Sequence, residues 1–261
     1  MEILSLDIEG KFAHFRKFHG NNTAMSYSIP PRTTIIGMLA SILGESKDSY
    51  YESFRHKDLK IGIRVLSDLK KTFHRLNYLK ITGSGDFGGK NGRIQTPFEV
   101  VTAHDLQLGM VKYRFYISPG EDSEVYERLK KALTDGERQF NLSLGIAGFS
   151  AFISKFEIKE AIEHTGESQW IFIHSACNSD NVSEIDFPSD VEFRFNHIEE
   201  ELLPADFIGG EKGREVYRMN RVLFATKNFP IQVILSGNYF QLGSEELIEN
   251  IQFLEYAGVF A

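Results

Sequence analysis

Apolar and polar positions alternate over Glu2–Glu9, with Ile3, Leu4, Leu6 and Ile8 set against polar neighbours, and this predicts a first strand. Ile35, Ile36, Leu39, Ile42 and Leu43 recur at helical spacing, predicting a buried helix over Thr33–Leu43. Pro30 and Pro31 stiffen the approach to it and Gly44 supplies a left-handed cap at its end. Lys60–Leu66 places Ile61, Ile63 and Val65 on one face of a second strand. A long excursion, Lys70–Val101, follows, with extended arms at Thr72–Ile81 and Arg93–Val101. Between the arms Gly83, Gly85, Gly88, Gly89 and Gly92 make a hairpin tip. Val111–Ile117 alternates cleanly, and Glu121–Leu133 carries Val125, Leu129, Ala132 and Leu133 at helical spacing behind a first turn of carboxylates. The turn Leu144–Gly148 leads into a strand over Phe152–Ile158.

The order strand, helix, strand, hairpin, strand, helix, strand is that of a ferredoxin-like βαββαβ unit, so the fold class expected is α+β. Beyond it the pattern predicts short strands at Trp170–His174, Val191–His197, Glu215–Ala225 and Ile231–Leu235, and a final helix over Ser244–Tyr256. The break at Glu163–Ser168 is read as a boundary between residues 1–162 and a smaller strand-rich part, 163–261.

Composition is that of an ordinary globular protein: 42% of the 261 residues are hydrophobic and 25% charged. The longest apolar stretch, Ile35–Leu43, falls far short of the roughly 18 to 20 residues that span a bilayer. No signal segment opens the chain, and the cytoplasm is the expected compartment. The single cysteine, Cys177, excludes a disulfide framework and a cysteine-rich zinc site.

A net charge of −7 argues against a nucleic-acid partner until its distribution is considered. Residues 1–119 hold 17 lysines and arginines against 11 acids, whereas residues 120–261 hold 12 against 25. Within the basic half, Lys11, His14, Arg16 and Lys17 interleave with Phe12, Phe15 and Phe18. Cations that neutralise phosphate beside rings that stack on bases suit single-stranded RNA. The same run also reads as a strand edge with Phe12 and Phe18 in the core and its charges in water. Arg32, Thr33 and Thr34 stand at a helix start, where guanidinium, hydroxyl and unpaired N–H groups together make an anion seat. Taken in isolation, Thr33 is as readily a plain N-cap and Arg32 a surface ion pair.

The order KFAHFRKF, SYSIPPRTTIIGMLASILG and the pair Tyr50 and Tyr51 resembles the RAMP-superfamily subunit of type I CRISPR interference complexes that caps the guide-RNA 5′ handle, most of all its subtype I-B branch. The resemblance is specific through Tyr51 and thin beyond the ferredoxin-like unit. It implies a non-catalytic RNA-binding component of the Cascade assembly, with a ferredoxin-like RAMP domain and a protruding β-hairpin thumb. It implies as partners the guide RNA 5′ handle, the Cascade backbone subunit and the large subunit, with no membrane and no cofactor. Ser26 and Tyr27 match the family pattern as handle contacts. The excursion becomes the thumb, with Lys80, Lys90 and Arg93 on it, passing between backbone subunits and displacing a guide nucleotide. Lys112 and Arg114, with Tyr116, share one face of a strand and form a further candidate platform, although exposed strand positions are commonly polar for solubility alone.

The glycine-rich segment is not a P-loop, because Lys90 is followed by Asn91 and no helical pattern ensues. The serious rival is a metal-independent endoribonuclease, since some relatives cut precursor RNA by 2′-OH attack, which needs a base, an acid and a cation. None of the eight histidines sits in a motif that designates it. HExxH and GxSxG are absent, and Glu199, Glu200 and Glu201 read as a solvated face or a partner patch.

Overall fold

A computed structural model describes the chain except for residues 19, 21–22, 122–123, 167–168, 187–196, 211–212, 244–247 and 255–261. The N-terminal part runs β1 (Glu2–Gly10), β2 (Phe15–Arg16), β3 (Ser26–Tyr27), α1 (Arg32–Leu43) and β4 (Leu59–Val65). The hairpin β5 (Leu69–Leu79) and β6 (Arg93–Ala103) comes next, then β7 (Val111–Pro119), α2 (Glu124–Thr134), β8 (Leu142–Ser143) and β9 (Ser150–Thr165). Short strands follow: β10 (Ile171–Ile173), β11 (Cys177–Asn178) and β12 (Val182–Ile185). A long pair, β13 (Ile198–Gly210) and β14 (Gly213–Ala225), precedes β15 (Ile231–Leu235), β16 (Asn238–Leu242) and β17 (Glu249–Ile251).

The central sheet has the order β17-β16-β9-β1-β7-β4 and is antiparallel throughout. Its segment β9-β1-β7-β4, with α1 after β1 and α2 after β7, is the expected ferredoxin-like arrangement. The β5–β6 hairpin is inserted between β4 and β7. Leu4, Leu6, Ile8, Ile61, Ile63 and Phe115 fill one face of the sheet, and both helices cover it with Ile35, Leu39, Ile42, Val125, Leu129 and Leu133. Gly44, at φ 78°, closes α1 as expected, passing its N–H to Ser41 O while Glu45 N–H reaches Ala40 O.

The expected boundary near residue 162 falls inside a strand. β9 pairs with β1 through Glu160 and with β16 from Ala161 onward, so the later strands extend the first sheet. Ala176, Leu203, Val222, Phe224 and Leu254 join the same core as α1. Two halves that share a sheet and a core cannot bury their apolar faces separately.

Of the later elements, β10, β14 and β15 lie where alternation predicted strands. The strand expected at Val191–His197 lies almost wholly outside the described residues. The expected final helix is corrected where it is described: Glu249–Ile251 is an edge strand on β16, and Ile251 and Phe253 bury against Phe240. Ile248, Ile251 and Leu254 share a helical period, but pairing with β16 satisfies the backbone instead.

β13 is an addition that pattern did not predict, because Glu199–Glu201 reads as solvated and Pro204 as a breaker. The strand accommodates Pro204 with register shifts up to Phe207. The β5–β6 hairpin is paired from Leu69↔Ala103 to Leu79↔Arg93, buried at its root and exposed at its far end. Its tip is an ordered turn: the Asp86 carboxylate accepts from Thr82 N, Thr82 Oγ1 and Gly83 N at 2.7, 2.7 and 2.9 Å.

Candidate nucleic-acid interface

The segment between β1 and α1 rides on the root of the hairpin. Ala13 and Val101 exchange both backbone hydrogen bonds, Ala24 N–H reaches Pro97 O, and Glu99 N–H reaches Ala24 O. His14 N–H binds Leu144 O at 3.0 Å, so the turn Leu144–Phe149 closes over the same segment. Gly145 lies at φ +94°, and a Cβ there would stand 1.9 Å from His14 O, so only glycine allows this approach.

These contacts shape a groove in two connected parts. One, of about 620 Å³, runs past the start of α1 and is walled by β13 and β14; Arg16, Phe18, Thr33, Thr34, Tyr50 and Arg214 line it. The other, of about 630 Å³, runs along the outer half of the hairpin beside Thr23, Tyr78, Ile94 and Thr96. His14, Arg16 and Ile146 border both. Arg16 is exposed, and Phe18 is 58% exposed. Arg214 stands over the Phe207 ring at 5.0 Å; its hydrogen bond acts on Tyr51 and its charge on Tyr50.

Several predicted contacts turn inward. Arg32 is corrected from anion seat to buried staple: its side chain is 1% exposed, Nη1 lies 2.6 Å from Asp206 Oδ1, and Nη2 donates to Phe54 O and Leu59 O. The reason is the apolar surround of α1, which admits a guanidinium only with carboxylate and carbonyl partners. Phe15 is core, edge-on to Tyr113 at 5.9 Å. Ser26 is buried, accepting from Phe15 N–H at 2.9 Å, donating to Tyr27 O, and giving its own N–H to Glu99 Oε2.

Lys17 pairs with Glu201 at 2.7 Å and lies over the Tyr27 ring, while Lys71 approaches the same carboxylate at 3.5 Å. Glu199 accepts from Ser28 Oγ, and Glu200 pairs with Arg221. The acidic run is therefore largely an internal counter-charge rather than a free partner patch. Lys11 donates to Gln107 O and Gly109 O at 3.1 Å each. The proposed platform on β7 faces a charge network: Lys112 meets Glu9, and Arg114 meets Asp7 and Glu249. Lys80, Lys90 and Arg93 lie on the exposed far part of the hairpin; none of them lines the groove, although Arg93 adjoins Ile94, which does.

The groove thus gathers His14, Arg16, Tyr27, Thr33 and Thr34 from the predicted set. Thr33 is no N-cap, since Pro31 holds that place without a side-chain bond, and Thr34 N–H is returned to Pro31 O. Arg214 and Phe207 were not foreseen. They arrive on a strand pair whose contact with α1 has no local signature, and Arg214 does not stand out in the sequence, since Lys212, Arg218 and Arg221 lie close to it.

Burial disfavours the charged forms of the site's histidine and tyrosines. Burial lowers the His14 pKa and raises Tyr50; it pushes Tyr27 up to about 12, helped by the charge of Glu201. Tyr51 also rises to about 12, through burial and then its hydrogen bond to Asp48. The Tyr27 hydroxyl is buried with no hydrogen-bond partner among the described residues.

A family model described as CRISPR-associated protein (Cas_Cas5), labelled Cas5d, matches residues 3–202. The chain belongs to the Cas5 family. That match does not separate the subtype I-B branch from others. No curated protein matches this Cas5 chain. Among solved structures it is similar to a CRISPR protein from Archaeoglobus fulgidus, with 13% identity, 96% of this chain and 98% of that one covered, and a TM-score of 0.52. It is also similar to a chain of a CRISPR RNA-guided surveillance complex, with 13% identity, 88% and 90% covered, and a TM-score of 0.52. At that identity what the chains share is the fold. Among the described residues no helix is long and apolar enough to cross a membrane.

Proposed function

We propose that this Cas5 chain is a non-catalytic, RNA-binding subunit of a type I CRISPR interference complex, holding the 5′ handle of the guide RNA and capping the backbone of the assembly. The observation that carries the reading is the two-part groove between the start of α1 and the outer half of the hairpin. It combines the exposed cation Arg16, Arg214 on the opposite wall, a solvent-facing ring at Phe18 and the start of α1. Cations for phosphates and a ring for an unpaired base are what a single strand requires. The hairpin is the thumb in this reading: Leu79, Ile81 and Phe87 are exposed on it and supply the apolar contact to a neighbouring backbone subunit. The outer surface of the later strands is assigned to the remaining subunits, the large subunit among them.

Binding is favoured over the nuclease alternative because His14 is the only imidazole, among the described residues, on either part of the groove, and burial raises Tyr27 and Tyr50 above their ordinary value, which weakens them as acids. A 2′-OH attack needs an acid as well as a base. The test is an Arg16→Ala/Arg214→Ala double variant. Complexes purified with it are expected to lose guide RNA, and RNA affinity of the isolated chain should depend less on salt, the slope flattening by roughly 1.4 for two phosphate contacts. Unchanged guide RNA content refutes the site. Repeat RNA incubated with the chain in EDTA is expected to stay intact, and site-specific scission lost in His14→Ala would establish the nuclease instead.

A further inference from the structure

His14 occupies the junction of the two parts of the groove, and its bonding is settled by chemistry. Its Nδ1 lies 2.7 Å from Glu99 O, and a carbonyl oxygen only accepts, so Nδ1 carries the proton. The ring is stacked on Phe98, with centroids 4.1 Å apart and planes 26° apart, which fixes its direction as well as its tautomer. Nε2 is then a lone-pair acceptor. The residue is 2% exposed, and Nε2 has no protein partner among the described residues; the ring borders both cavities and Nε2 is not sealed from them. Its lone pair is therefore open to a donor in the groove, water until a ligand group replaces it.

The donor follows from what crosses this point. A strand occupying both parts passes its sugar–phosphate backbone across His14, between base-sized spaces on either side. Phosphate and ring oxygens are acceptors, and the one donor that such a backbone carries is the ribose 2′-hydroxyl. Resting on the RNA-binding reading above, we infer that His14 is a specificity-determining residue, accepting a hydrogen bond at Nε2 from one 2′-hydroxyl and so distinguishing RNA from DNA at that nucleotide. Burial, which disfavours the imidazolium, keeps Nε2 available at neutral pH.

The experiment is a deoxyribose walk. Single-stranded repeat RNA, with each ribose in turn replaced by deoxyribose, is titrated against the full chain by fluorescence anisotropy, in wild type, His14→Asn and His14→Gln. The Asn amide retains the donor to Glu99 O but has nothing at the Nε2 position. The Gln amide oxygen reaches that position. Wild type is expected to lose roughly 3- to 10-fold in affinity at one position, the worth of one hydrogen bond. His14→Asn should bind all-ribose RNA that much more weakly and show no penalty there, and His14→Gln should restore part of it.

If His14→Asn does not fold, His14→Phe, which keeps a ring on Phe98 and removes both nitrogens, gives the same comparison. Tight RNA binding with no discriminating position, or a penalty that persists in both variants, overturns the inference and leaves RNA binding standing. Absence of RNA binding by wild type overturns both.

Discussion

Replacing Arg32 by alanine is expected to unfold this protein more readily rather than to weaken RNA binding selectively. Its guanidinium is enclosed by Asp206, Phe54 O and Leu59 O, and its partner carboxylate is only 7% exposed. Truncation leaves Asp206 charged, buried and facing an empty space; His56 Nδ1 lies 3.5 Å from its other oxygen. Breaking a buried pair from one side costs about 3–5 kcal/mol, and the two carbonyls that lose their donors keep the value near the top of that range. At about 2–4 °C per kcal/mol for a chain of this size, the midpoint should fall by roughly 6–20 °C. Thermal and urea denaturation followed by circular dichroism measure it, with coincident probes checking two-state behaviour. The control is Arg32→Met/Asp206→Leu, which removes both charges and should recover most of the loss, because an apolar pair needs no compensating partner. A midpoint within 2 °C of wild type, with RNA affinity reduced, would refute the argument and return Arg32 to the groove.

Tyr27→Phe removes a buried hydroxyl that has no partner, so the midpoint should be unchanged or slightly higher; a loss above about 1 kcal/mol in urea denaturation would mean that the hydroxyl is satisfied. Gly145→Ala places a methyl carbon 1.9 Å from His14 O at φ +94°, so the turn must leave His14. Hydrogen exchange should then show the His14 amide, normally bonded to Leu144 O, losing protection, and RNA binding falling with it. On acidification, His14, His174 and His197 matter most near neutrality, since burial holds all three below their ordinary value. The unfolded chain takes up protons near pH 6.5 while the folded one does not. Stability is therefore full above that pH and declines as pH falls below it. Thermal midpoints between pH 7.5 and 5.5 should show the decline, and His174→Gln should flatten it, because Asn250 N–H donates to His174 Nδ1 and needs it unprotonated.

Local order along the first 160 residues was legible because each element carries its own period. Helix α1 has five apolar residues at helical spacing and a glycine cap, and β1 and β7 alternate. The hairpin announces itself by a glycine cluster between extended arms. What could not be read was pairing at long range. β13 contains Glu199–Glu201 and Pro204, a composition that argues against a strand until Lys17, Ser28 and Lys71 stand opposite the acids. The groove suffered the same limit from the other side. Arg16 and Arg32 are both arginines beside apolar runs, and only the arrival of Asp206 on β13 decides that one is buried and the other exposed.

The charge asymmetry illustrates why a half-chain count is a poor guide to a surface. Residues 1–119 carry a surplus of six positive charges by sequence, yet Lys17, Lys71, Arg32, Arg64 and Arg114 each meet an acid from beyond residue 119. The basic half and the acidic half neutralise one another across a shared core, and the surplus does not appear as a basic face. What remains for a phosphate is set by position: Arg16 on the groove floor and Arg214, which comes from the acidic half. A strand held by a few well-placed cations and rings is bound more by fit than by field. Its affinity should therefore respond to salt as two or three contacts would, and more steeply to changes in the groove's shape than to changes in the net charge of the protein.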